Sequence, residues 1–134
     1  MELISWSPLF SVKVQVLDQQ HQKLLGFINT LFNALEEHQD KHILEKVLFE
    51  LIEYTKYHFE SEEAFLKETN YPGFEEQRSA HQQLIAQVEE FFDQLKNLDS
   101  IKVELFNFLK GWLTTHILGM DKKYSHHLNM KGIH

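Results

Sequence analysis

Apolar residues recur along most of this chain in steps of three and four, the interval at which side chains return to one face of an α-helix. After Asp18, read as an N-cap, the apolar positions are Leu24, Leu25, Ile28, Leu31, Phe32 and Leu35, and His21 lies on the same stripe. Asp40 marks the start of a second helix, expected to run to about Asn70, with the stripe Leu44, Leu48, Leu51, Thr55, His58, Glu62 and Phe65. The run Asn70-Tyr71-Pro72-Gly73 breaks the pattern. A third helix is expected from about Phe74 to Asn97, on Gln77, His81, Leu84, Val88, Phe91 and Leu95. Asp99 or Ser100 would cap the fourth, whose stripe of Ile101, Leu105, Phe108, Trp112 and His116 continues towards Tyr124. Residues 1–17 differ: Pro8 and the alternation of Val12, Val14 and Val16 suggest an extended arm lying along the helices. The expected fold is all-α, an up-down-up-down four-helix bundle with an extended N-terminal arm, in one domain spanning 1–134.

Several positions on the apolar stripes are polar. His21 lies near the start of the first helix, His58 and Glu62 near the end of the second, Gln77 and His81 at the start of the third, and His116 and Asp121 towards the end of the fourth. Neighbouring helices in such a bundle are antiparallel, so all seven fall at one end. A buried, unpaired carboxylate costs several kcal/mol, so Glu62 in a core stripe demands a cation. His58 and Glu62, four apart, share a helix face and can reach one site. Nitrogen and oxygen donors without sulfur suit iron, manganese or zinc, and inward carboxylates and histidines in a helical bundle favour a di-iron centre. His116 and Asp121 are five apart, roughly 140° round a regular helix, so a bulge or loosening at Gly119 is needed to bring Asp121 inward. The remaining histidines, His38, His42, His126, His127 and His134, fall in turns or the tail and are expected in solvent.

Composition narrows this picture. Zero Cys removes disulfides, thiolate metal sites, iron–sulfur clusters and thiol nucleophiles, and fits a cytoplasmic location. A net charge of −7 argues against nucleic acid as a partner. No apolar run approaches the ~20 residues of a membrane span, and no signal peptide is expected from Met1 to Trp6.

The segments Asp18-Gln-Gln-His21, His58-Phe-Glu-Ser-Glu62-Glu63, Tyr71-Pro72 with His81, and His116-Ile-Leu-Gly-Met-Asp121 with Tyr124 together resemble the hemerythrins, in particular the single-domain bacterial form. The early Trp6 also fits. The resemblance implies two non-heme irons bridged by Glu62, Asp121 and an oxo or hydroxo group, with His21 and His58 on the iron that binds O2 or another small diatomic ligand. It further implies that Phe59, Trp112, Leu113 and Ile117 line an apolar O2 pocket, and that the protein is an O2 carrier, store or sensor, not an enzyme. The family's second iron usually has three histidines; here His81 and His116 are joined by Gln77 as the third candidate metal ligand. That departure leaves two alternatives open: enzyme-like activity on peroxide or nitric oxide, and an iron- or redox-sensing module. A ferritin-like site would need Glu-x-x-His pairs, and the chain has none. A protein partner is not identified by the sequence.

Overall fold

The computed structural model describes residues 4–94 and 98–134. Helices α1 (Gln15–Glu36), α2 (Lys41–Glu68), α3 (Phe74–Asp93) and α4 (Leu98–Thr115) follow one another. A π-helical segment, His116–Asp121, joins α4 to α5 (Lys122–Met130), so the fourth rod of the bundle is helical from Leu98 to Met130. Among the described residues there is no strand.

Two turns have the same chemistry. At the end of α1, His38 N–H donates to Leu35 O (3.2 Å) and Gln39 N–H to Ala34 O (3.0 Å). At the end of α2, Asn70 N–H donates to Lys67 O (3.2 Å) and Tyr71 N–H to Leu66 O (2.9 Å). These paired bonds satisfy the last carbonyls of each helix and require a left-handed residue, which His38 (φ 54°) and Asn70 (φ 56°) supply. Asp40 caps α2 as expected, its carboxylate accepting His42 N–H at 2.7 Å.

The first helix begins earlier than expected. Val14, not Asp18, is its N-cap, and Asp18 N–H already donates to Val14 O at 2.9 Å. The Asp18 side chain turns back to the arm, accepting Val12 N–H (2.8 Å) and the Ser11 hydroxyl (2.6 Å). Val16 consequently points outward from α1, whereas Val12 and Val14 are fully buried. The arm is extended apart from a 3-10 turn at Pro8–Phe10 and a left-handed residue at Lys13 (φ 59°). It is held by Lys122 Nζ to Leu9 O (2.9 Å) and by paired Asn29–Ile4 bonds (2.9 and 3.1 Å). In the fourth helix, Asp99 and Ser100 lie inside the helical run instead of capping it, because that run starts at Leu98. The side chains of Asp99, Ser100 and Ile101 lie outside the described residues, as do Leu95 and Asn97 entirely.

The stripes meet in two apolar clusters. The larger, including Leu24, Leu31, Leu48, Leu84, Leu105 and Leu113, fills the bundle. The smaller joins Val12, Val14 and Leu17 of the arm and α1 to Leu66, Tyr124 and Leu128. The polar end of the stripes lies between them, so the arm closes off the side of the site that the bundle core does not.

Candidate metal centre

All seven polar candidates converge. His21, His58, Glu62, Gln77, His81, His116 and Asp121 are at most 4% exposed. His21 Nε2 and His58 Nε2 each stand 3.0 Å from Glu62 Oε2, and His21 Nε2 is also 3.3 Å from Asp121 Oδ2. On the other side, His81 Nε2 is 3.2 Å from Glu62 Oε1 and His116 Nε2 is 3.0 Å from Asp121 Oδ1. Two sets of donors result: His21, His58 and Glu62, and Glu62, His81, His116 and Asp121. Glu62 belongs to both.

Asp121 reaches this place through the π segment. Bonding from i to i+5 stacks residues five apart on one face, which supplies the bulge that the His116–Asp121 spacing demands. Gly119 lies in that segment and a Cβ there would meet nothing within 4 Å, so the turn is not a response to crowding at the glycine.

The surroundings orient each imidazole. His58 Nδ1–H donates to Gln20 Oε1 (2.7 Å), whose amide nitrogen donates to Ser61 Oγ (3.2 Å). His81 Nδ1–H donates to Glu63 Oε2 at 2.9 Å. With Nδ1 carrying the proton, the Nε2 lone pairs of both rings face inward, the arrangement in which a second hydrogen bond fixes a metal-binding tautomer. Tyr124 OH donates to Glu62 Oε2 (2.8 Å), and burial beside Glu62 and Asp121 pushes its pKa well above the usual value, so it stays a donor. Glu63 lies on the flank of the α2 stripe and could not be picked out by periodicity, whereas Gln20 falls on the α1 stripe, three after Leu17 and four before Leu24, and that spacing is the signal that could have found it.

Burial opposes charge on Glu62, but His58, together with hydrogen bonds from His21, His58 and His81, holds its carboxyl well below the ordinary range. Asp121 is also lowered: burial and Glu62 act against ionisation, and His116 and His21 outweigh them. His21 is desolvated, yet hydrogen bonds to Asp121 and Glu62 raise its pKa to about 10. Burial lowers that of His58.

These facts together test whether a metal fits. A neutral His58 turns a lone pair towards a carboxylate oxygen 3.0 Å away. Acceptors crowd against acceptors unless a cation lies among them. Two donors about 2.1 Å from one ion at right angles would stand about 3.0 Å apart, the spacing observed. Gln77 Oε1 is moreover buried without a hydrogen-bond partner. The donor set fits non-heme iron.

Gln77 is placed with the second set. Its Nε2 donates to Asp121 Oδ1 at 3.2 Å, leaving its carbonyl oxygen free. The four apolar candidates divide. Phe59 stacks on His81 (3.6 Å, 3° between planes) and Trp112 on His116 (4.7 Å, 13°), while Leu113 and Ile117 are buried in the bundle core. His127, expected in solvent, is instead half-buried and bonded to Thr69 O and Oγ1 at 3.0 Å, because α5 carries it back over the end of α2.

The model of the hemerythrin HHE cation binding domain matches residues 12–128, nearly the whole chain. The chain belongs to the hemerythrin family. A bacteriohemerythrin of Stenotrophomonas maltophilia is 32% identical over 125 residues, covering 93% of this chain and 81% of that one. A myohemerythrin of Riftia pachyptila is 29% identical, covering 92% of both. A crystal structure of wild-type hemerythrin superposes with a TM-score of 0.85 at 25% identity, over 94% of this chain and 98% of its own. The bundle and its topology are therefore those of hemerythrins.

Proposed function

We propose that the chain holds two irons, one at His21 and His58 and one at His81 and His116, bridged by Glu62 and Asp121, with Gln77 as a further donor to the second. Membership of the hemerythrin family makes the protein a non-heme iron protein that binds O2, and its relatives are oxygen binders rather than enzymes. The observation that carries the two-iron reading is the double set of inward nitrogens sharing Glu62. When bound, reduced iron supplies electrons to O2 and recovers them on release. The protein's own part is to bind, orient and keep dry. Gln20 and Glu63 fix the rings of His58 and His81, and Tyr124 holds Glu62 through a proton it does not give up. Leu113 and Ile117, with Phe59 and Trp112, form the apolar surround expected to exclude water, which favours reversible binding over oxidation.

No helix among the described residues is long and apolar enough to cross a membrane. We place the protein in the cytoplasm, as a store, carrier or sensor of O2. Enzyme-like turnover of peroxide or nitric oxide is a second reading, favoured by one observation, the neutral Gln77 among the donors. The test is elemental analysis of purified protein with optical spectra of the reduced form before and after air and then argon. Two irons per chain and a band that appears in air and disappears under argon are expected. Irreversible bleaching with peroxide consumption would favour the second reading. In purified variants, Glu62→Ala should lose most of the metal while His38→Ala and His42→Ala, both on the surface, keep it. Equal retention in all three would refute the bridge.

A further inference from the structure

The two halves of the site differ in how they meet solvent. His21 and His58 are each 1% exposed. His116, 4% exposed, is among the residues lining an open cleft of about 420 Å3 between α3 and α4, with Trp112, Gln83, Gln87, Gly111 and Thr115. His81 borders a second groove, of about 320 Å3, between α2 and α3. Two imidazoles of the second donor set thus border surface grooves, one on each side of α3, although the set itself is at most 4% exposed.

At this same set stands the one donor that carries no charge and no imidazole. Gln77 is 2% exposed, its carbonyl oxygen has no partner, and its amide nitrogen leans on Asp121. Pairs of imidazoles with carboxylates commonly leave open positions on non-heme iron, and a neutral amide oxygen competes poorly there with an anion. We infer that a small anion entering through the α3–α4 cleft displaces Gln77 and binds the iron of His81 and His116, giving the oxidised protein an anion position there in addition to the small-ligand position expected at His21 and His58. This rests on the two-iron reading. Gly111 keeps the cleft open: a Cβ there would meet nothing within 4 Å, so a larger side chain can fill the space without displacing its neighbours.

The probe is azide, titrated into the oxidised protein at measured iron content and followed by calorimetry and optical spectra. Wild type should take up a second equivalent per chain. Gln77→His should lose that second equivalent, because a third imidazole occupies the position. Gly111→Leu should keep it but slow its association by roughly ten-fold, within the range over which one site's on-rate varies. Two irons with a single azide in wild type would overturn the inference and leave the two-iron reading standing. Two azides with unchanged affinity in Gln77→His and unchanged rate in Gly111→Leu would overturn it as well. Should Gln77→His fail to fold or load, Gly111→Leu decides alone by its rate. An iron content near one per chain would overturn the two-iron reading, and this inference with it.

Discussion

At the scale of single residues, the chemistry of the site depends on partners as much as on ligands. Glu63 is the clearest case, a partly exposed carboxylate whose bond to His81 Nδ1 both sets the tautomer and makes the ring a stronger donor. Glu63→Gln preserves the shape and removes the charge. It should weaken retention of iron by about ten-fold, the lower end of what such partners contribute, and a chelator competition measures it. Retention equal to wild type would mean that Glu63 only fills space. The ligand-type residues themselves were legible in the sequence, since His58, Glu62, His81 and His116 sit on apolar stripes where a polar side chain is costly. Glu63 was not, because it reaches inward from the flank of α2, and only the packing of helix against helix says how far; Gln20 lies on the α1 stripe itself, and its spacing marked it as buried. Asp18 misled for a related reason: a carboxylate beside a helix start accepts from whichever donors are nearer, here Val12 N–H and the Ser11 hydroxyl of the arm.

Among the elements, the helices and turns followed closely from periodicity and breakers, and the boundary error at α1 fell where a cap could act in two directions. The α1–α2 turn retains strain that the sequence does not advertise. His38 occupies a left-handed conformation at φ 54°, which costs a residue with a side chain roughly 1–2 kcal/mol. Glycine would relieve that but gives up about 0.5–1 kcal/mol of chain entropy on folding. His38→Gly should therefore gain roughly 0.5–1 kcal/mol in urea unfolding, with iron content unchanged. A loss of stability would show that the His38 side chain makes contributions beyond the turn.

For the whole molecule, folding and metal binding are linked through a buried set of charges. In protein stripped by a chelator, His21 has a folded pKa of about 10 against 6.5. A raised value means that its contribution is complete below 6.5 and disappears as pH rises through about 10. Glu62 and Asp121 are shifted downward from 4.5 and 3.8, so theirs is present above that range and fades as pH falls through the depressed values. Stripped protein should thus show a urea midpoint that falls on the alkaline side between those limits, and His21→Gln should flatten that limb. Loading iron at pH 8 should also expel the His21 proton, measurable as acid released into weak buffer. Release of no proton from that position would contradict the assignment of the raised group.

The π segment has a consequence for insertions and deletions. A uniform helix from Leu98 to Met130 cannot serve both the site and the smaller apolar cluster, since residues 116 and 121 must share a face while Tyr124 and Leu128 must turn towards Val12 and Val14. Removing one residue between His116 and Asp121 would give a regular helix with the pair four apart, the spacing that already works for His58 and Glu62. The same deletion would leave α5 close to its present phase, because a five-residue π-turn and a four-residue α-turn both bring the chain back to one face, so Tyr124 would still face Glu62 and Leu128 the arm. The chain should thus tolerate losing a residue inside the π segment but not just after Asp121, where a deletion in regular helix turns Tyr124 and Leu128 about 100° off their surfaces.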